Sequence, residues 1–208
     1  NMADGCLLVV DAVEGPMPQT RSVLRTALAQ GLRPVVVINK MDRPTSRVQE
    51  TEAEIQDLFL ELATDAEQLD YPVIYASARE GYALADLADE PKDMVPLFDA
   101  ILRHIPAPKA DPSKPFQMLV AALDFDNHLG QIAIGRVSQG AVRRNDAVVL
   151  LGADTIEKPS RINGVYVFEN LARTEAVEVG AGDIVAVTGL SSVAIGDTIA
   201  SLGFPKAL

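Results

Sequence analysis

Two polar stretches, 35 residues apart, hold the side chains best suited to chemistry. Asn39-Lys40-Met41-Asp42 closes the apolar run Pro34–Asn39 (PVVVIN), and Ser77-Ala78-Arg79 closes the run Pro72–Ser77 (PVIYAS). A carboxylate at the position of Asp42 accepts two hydrogen bonds from the N1–H and 2-amino edge of guanine. Adenine has no 2-amino group and presents N1 as an acceptor, so it would leave that carboxylate desolvated and unpaired. Such a mismatch discriminates by about 10⁴. The Asn39 amide suits the base and a neighbouring loop. The aliphatic stem of Lys40 suits the purine face, with its ammonium free to meet other groups. The small residues Ser77 and Ala78 let backbone N–H groups approach a carbonyl such as guanine O6. A polar turn that merely closes a strand is the competing reading of either stretch alone; the pairing of the two carries more weight.

These loops need a scaffold that brings both strand ends to one edge. The runs Gly5–Asp11 (GCLLVVD), Pro34–Asn39 and Pro72–Ser77 are continuous in Val, Ile and Leu, the pattern of parallel strands buried on both faces. Helical patterns alternate with them over Met17–Gln30, Val48–Leu62 and Asp93–Ile105. Strand–helix alternation predicts an α/β fold with a parallel sheet, in which ligands bind beyond the carboxyl ends of the strands. Pro106, Pro108, Pro112 and Pro115 then predict a stiff linker. Beyond it, Gln117–Asp124, Gln131–Val137, Ala147–Leu151, Arg161–Phe168 and Asp183–Thr188 read as strands separated by turn residues, which predicts an all-β barrel. The expected division is 1–108, a linker 109–115, and a barrel 116–208.

The 208 residues carry 18 basic and 29 acidic side chains, a net charge of −11. Such a charge argues against a general nucleic-acid binder. It is uneven: residues 1–111 carry −9 and residues 112–208 only −2, so the acidity belongs to the first half and the second is near neutral. The lone Cys6 forms no intrachain disulfide and fits a reducing, cytoplasmic setting. No apolar run approaches the roughly 18 residues of a membrane span, and no membrane partner is expected. No Gly-x-Gly-x-x-Gly follows a strand, which disfavours an unrelated dinucleotide-binding protein.

The two loops resemble the fourth and fifth guanine-nucleotide motifs of the translational GTPases, and the wider sequence resembles the TypA/BipA ribosome-associated family. The stretches that carry this are Val9–Thr20 (VVDAVEGPMPQT), Pro34–Pro44 (PVVVINKMDRP), Asp65–Ala78, Asp93–Pro108, Leu129–Val137 and Gly180–Leu190. Together they extend over essentially the whole chain. The resemblance implies a P-loop GTPase-type sheet followed by a translation-factor β-barrel. It implies a parent that binds GTP or GDP, hydrolyses GTP and acts on the ribosome, touching rRNA and ribosomal proteins, with the barrel against the small subunit. It assigns Asn39, Lys40 and Asp42 to guanine recognition and Ser77 with Ala78 to closure over O6, while Lys40 and Arg79 support the pocket sterically.

The departures are equally specific. No Gly-x-x-x-x-Gly-Lys-Ser/Thr loop and no Asp-x-x-Gly occurs, so the phosphate, Mg²⁺ and catalytic motifs of the family are expected upstream of Asn1. GDP should then bind in the millimolar range or not measurably, and catalysis should be absent from the chain taken alone. A non-enzymatic ribosome-docking module is the alternative. In the family fold the strand Gly5–Asp11 pairs with the phosphate-loop strand, so its edge is expected to be bare and to favour self-association. His104 and His128 match no catalytic histidine. Glu14-Gly15-Pro16 reads as a loop-shaping sequence after Asp11, and Asp124, Asp126, Asn127 and His128 as a hairpin turn. Arg143-Arg144 reads as a solvated turn and Cys6 as core.

Overall fold

The computed structural model describes residues 2–152, 159–170 and 172–208. Its three apolar runs form parallel strands β1 (Gly5–Asp11), β2 (Arg33–Asn39) and β3 (Val73–Ser77), side by side in that order. The register aligns Asp11 with Asn39 and Ile38 with Tyr75, which brings the polar strand ends to one edge of the sheet. A fourth strand, β4 (Tyr82–Leu84), folds back antiparallel on β3. The expected three-stranded sheet is therefore four-stranded and mixed. Three residues are too few to show a period of two in sequence. The turn into β4 is closed by Gly81, at φ +78°, whose N–H donates to Ser77 O at 2.8 Å.

Helices α1 (Pro18–Ala29), α2 (Val48–Leu62) and α3 (Val95–His104) form on the expected stretches. Proline stands in the first turn of α1 and of α3, where its missing N–H costs nothing. Leu24 and Leu28 of α1, with Ile55, Leu58 and Phe59 of α2, pack on Leu8, Val10, Val36 and Ile38 of one sheet face. Leu97 and Ala100 of α3 pack on Val35, Val37, Ile74 and Ala76 of the other. That second face is covered unevenly. Val35 and Val37 are buried, but their β1 neighbours Leu7 and Val9 remain 41% and 56% exposed. Among the described residues β1 pairs only with β2, leaving its other edge open. Cys6, read as core, is only half-buried in this strand.

This α/β part, Ala3–Ala107, is one compact unit, and Pro108–Leu208 makes up the body of a second. The second unit holds β5 (Gln117–Asp126), β6 (Gly130–Gln139), β7 (Ala141–Arg143), β8 (Ala147–Leu151), β9 (Ser160–Arg161), β10 (Gly164–Glu169), β11 (Ala172–Glu175), β12 (Glu178–Gly180), β13 (Ile184–Thr188) and β14 (Thr198–Ser201). They form an antiparallel sheet in the order β11-β10-β13-β6-β5-β14-β8-β9, with β7 and β12 as a separate pair. The expected strand Arg161–Phe168 is divided between β9 and β10. Its chain changes partner at Ile162 and Asn163, whose N–H groups donate to Asp146 O and Thr188 O at 3.1 and 2.8 Å. Because β9 pairs with β8 and β10 with β13, this one segment links one end of the sheet to the strand next to the other end and curls it. Met118, Val120, Val137, Leu150, Ile162, Val185 and Ile199 fill its interior.

Candidate functional site

The loops after β2 and β3 meet through side chains of both. Asn39 Oδ1 accepts two N–H donors, Lys40 N at 2.8 Å from its own loop and Ala78 N at 3.0 Å from the other. Ser77 Oγ donates to Asp42 Oδ1 at 2.7 Å and accepts the Glu80 N–H at 3.1 Å. Met41 N–H donates to Ala76 O at 3.1 Å, a third tie between the loops. Asn39, Lys40, Asp42, Ser77 and Ala78 are thus brought into one constellation. Arg79 joins it at longer range, with Nη1 3.9 Å from Asp42 Oδ2 and most of its side chain in solvent.

Each loop takes a shape that its sequence permits only with support. Lys40 lies in the left-handed region at φ +69°, a conformation that strains a non-glycine residue. It is held by the Asn39 bond at its N–H, by Arg43 N–H donating to its carbonyl at 3.1 Å, and by an ion pair from its ammonium to Asp11 Oδ2. The Ser77-Ala78-Arg79 loop is the turn of the β3–β4 hairpin, so it is anchored at both ends by strand pairing. Ser77 is fully buried. Its hydroxyl is occupied by Asp42 and Glu80, and so orients the Asp42 carboxylate.

The electrostatics follow from these contacts. The Ser77 hydrogen bond, aided by the positive charges of Arg79 and Arg43, lowers the Asp42 carboxyl from its ordinary 3.8. The hydrogen bond from the Lys40 ammonium lowers Asp11 in the same direction. A depressed carboxyl favours the folded arrangement above its ordinary value, and that contribution is lost as pH falls through the lowered value. Ser77→Ala removes the leading cause. The Asp42 carboxyl is then expected to titrate higher, nearer 3.8, in a carbon-detected NMR titration. An unchanged midpoint would mean that the serine does not hold this carboxylate.

Sequence reasoning missed Arg47, which builds the loop after β1. Its N–H donates to Ala12 O at 2.8 Å, its Nε to Val13 O at 2.9 Å and its Nη2 to Glu14 O at 2.9 Å, while Glu54 holds its Nη1 at 2.5 Å. The available signal was Glu50 and Glu54 at helical spacing after an arginine just outside α2. Gly15 closes the same loop at φ +77°, and a Cβ there would sit 2.2 Å from Glu54 Oε2. The Glu14-Gly15-Pro16 stretch accordingly shapes the path into α1.

His104 ends α3 in its last turn. The N–H groups of His128 and Leu129 donate to Asp126 Oδ1 at 2.8 and 3.1 Å in the β5–β6 hairpin turn, and Asp124 pairs with Arg173 at 3.1 Å. Arg143 and Arg144 pair with Glu178 and Glu175 at 2.7 and 3.4 Å. Among the described residues, no helix is long and apolar enough to cross a membrane.

The family described as elongation factor Tu GTP binding domain matches residues 1–107, and that described as elongation factor Tu domain 2 matches residues 130–200. The chain is 44% identical over 207 residues to the large ribosomal subunit assembly factor BipA of a Synechocystis species, covering 100% of this chain and 35% of that protein. Its identity to the Haemophilus influenzae protein of the same name is 45% over 208 residues, covering 100% and 34%. For the Bacillus subtilis protein of that name it is 44% over 198 residues, covering 95% and 32%. The apo structure of translation elongation factor SelB from Methanococcus maripaludis shares the fold, with a TM-score of 0.71 over 96% of this chain and 40% of that one, at 20% identity. The chain spans about a third of the length of the curated relatives it matches. With the first unit matched end to end and the second over most of its strands, the chain belongs to the translational GTPases of the elongation factor Tu type, in their TypA/BipA family.

Proposed function

We propose that this chain supplies the guanine-recognition half of a ribosome-associated, cytoplasmic GTPase that binds GTP and GDP and hydrolyses GTP. The observation that carries this reading is the pairing of Asp42 with Ser77. Ser77 takes one carboxylate oxygen, Oδ1, and Asp42 Oδ2 is met by a cation only at 3.9 Å. The remaining lone pairs fit the N1–H and 2-amino donors of guanine. The Asn39 amide nitrogen donates to no described residue and is available to a base acceptor such as O6 or N7. The stem of Lys40 lies over the purine face, with Arg79 bounding the pocket. Ala78 N–H, 3.0 Å from Asn39 Oδ1, can be shared with O6 when a base is seated.

Phosphate affinity and Mg²⁺ binding belong, in this reading, to parts of the parent that the 208 residues do not include. The base alone supplies a Kd of about 1 mM or weaker. Magnetisation transferred from the protein to the H8 proton of GMP tests the reading. It should weaken for IMP, which lacks the 2-amino group, and vanish for AMP. Equal transfer to AMP would refute it. Micromolar GDP affinity in calorimetry would refute the assignment of phosphate binding elsewhere.

The names of the relatives support a partner as well. These relatives are named large ribosomal subunit assembly factors, and we assign this chain to the same partner class, a ribosomal subunit with its rRNA and proteins. The second unit, with its near-neutral charge, is the part suited to docking.

A further partner is a second copy of the chain. The open edge of β1, Gly5–Asp11, bears no charge between its ends and exposes Leu7 and Val9, the properties of a strand that pairs with another chain. Sedimentation of the 208-residue chain is expected to show a concentration-dependent dimer that Val9→Lys abolishes. A strictly monomeric chain whose Gly5–Asp11 amides exchange freely would contradict this.

A further inference from the structure

Asp11 stands at the end of β1, directly beside Asn39 in the parallel register. Its two carboxylate oxygens have separate duties. Oδ1 accepts the Val13 N–H at 2.8 Å and so shapes its own loop. Oδ2 receives the Lys40 ammonium from the neighbouring loop. The acid is the fixed member of this pair, with a side chain only 16% exposed against 50% for Lys40. Its backbone is fixed as well: Ala12 N–H donates to Asn39 O and Gly15 N–H to Asp11 O, both at 2.8 Å. Lys40 is the member that needs holding. Its backbone is left-handed, and its four-carbon stem has many rotamers to lose on ordering.

We propose that Asp11 is a positioning residue of the base pocket: it anchors the Lys40 ammonium, and thereby fixes where the aliphatic stem of Lys40 lies against the purine. The proposal rests on the guanine reading given above. It assigns a role to a residue that lies in neither guanine loop, at the end of the strand beside β2 and two strands from β3. The stem covers the base face only if the ammonium is tethered on the far side. Without the tether the stem must be ordered at the moment of binding, and affinity falls by the lost pre-organisation.

Asp11→Asn separates the two duties, because the amide oxygen still accepts the Val13 N–H while the charge facing Lys40 is gone. GMP affinity, measured from amide shifts of the 208-residue chain, is expected to fall about three- to fivefold, the range of a partly exposed ion pair. In a Lys40→Met background, which keeps an apolar side chain but has no ammonium, Asp11→Asn should cost nothing further. Asp11→Glu should restore part of the loss. Equal losses in both backgrounds with no recovery on Asp11→Glu would mean that Asp11 acts on the site by a route other than the Lys40 ammonium, which overturns the proposal. GMP binding that Asp11→Asn leaves unchanged overturns it alone. No GMP binding to the unaltered chain overturns the guanine reading and this proposal with it.

Discussion

Asp42→Asn is expected to abolish saturable GMP binding and to let xanthosine monophosphate bind instead. Ser77 Oγ donates to Asp42 Oδ1 at 2.7 Å, so the amide oxygen of an asparagine would keep that place. Its amide nitrogen would then replace Oδ2, the oxygen near Arg79. Two acceptors for guanine N1–H and the 2-amino group become one acceptor and one donor, and the donor opposes the 2-amino hydrogens and matches the 2-oxo group of xanthine. Losing hydrogen bonds to a charged group and leaving base donors unpaired costs about 3 kcal/mol or more, roughly a hundredfold in Kd. From a millimolar start this reads as no binding at all. Isothermal titration with GMP, XMP and AMP checks it. Retention of GMP affinity by the variant would remove Asp42 from the guanine assignment.

The largest stability effect is expected from Phe59→Ala. Phe59 is fully buried in the layer between α2 and the sheet, and its ring stacks on Tyr71 with centroids 3.8 Å apart. Truncating it removes transfer free energy and leaves a cavity between a helix and a stiff sheet that cannot close over it. The expected cost to the first unit is about 3–5 kcal/mol. Urea unfolding followed by far-ultraviolet circular dichroism should show the transition of the α/β unit moved to lower denaturant. The second unit keeps its own core of Met118, Val120, Val185 and Ile199 and should keep its midpoint. A loss below 1 kcal/mol would mean that the α2 layer repacks freely. Leu60 on the same helix is 59% exposed, so Leu60→Ala is the matched control and should cost little.

The first unit was largely legible because its signals are local. Runs such as PVVVIN and amphipathic stretches such as Val48–Leu62 carry their period within a dozen residues, and α2 occupies those residues. The polar loops announced themselves by following buried strands. What stayed hidden depends on partners distant in sequence. β7 and β12 have three residues each and exist because Val142 meets Val179; neither shows a pattern by itself. β14 is four residues that pair with β5 and β8 on either side. The site divides in the same way. Asn39 and Asp42 are readable from their motif. The binding of Ser77 by Asp42, the tether from Asp11 to Lys40, and Arg47 on the carbonyls of Ala12, Val13 and Glu14 are consequences of three-dimensional placement. The fourth strand matters most for function, because it makes the Ser77-Ala78-Arg79 loop a hairpin turn held at both ends.

The central claim is that the loops after β2 and β3 form one pocket that reads guanine. Amide correlation spectra of the ¹⁵N-labelled 208-residue chain, recorded against rising GMP and then AMP, test it most directly. GMP should move the amides of Asn39–Asp42 and Ser77–Gly81 together along one saturating curve, with a Kd of about 1 mM or weaker, and AMP should leave them in place. Shifts produced equally by AMP, or GMP shifts confined to residues outside these two loops, would contradict it.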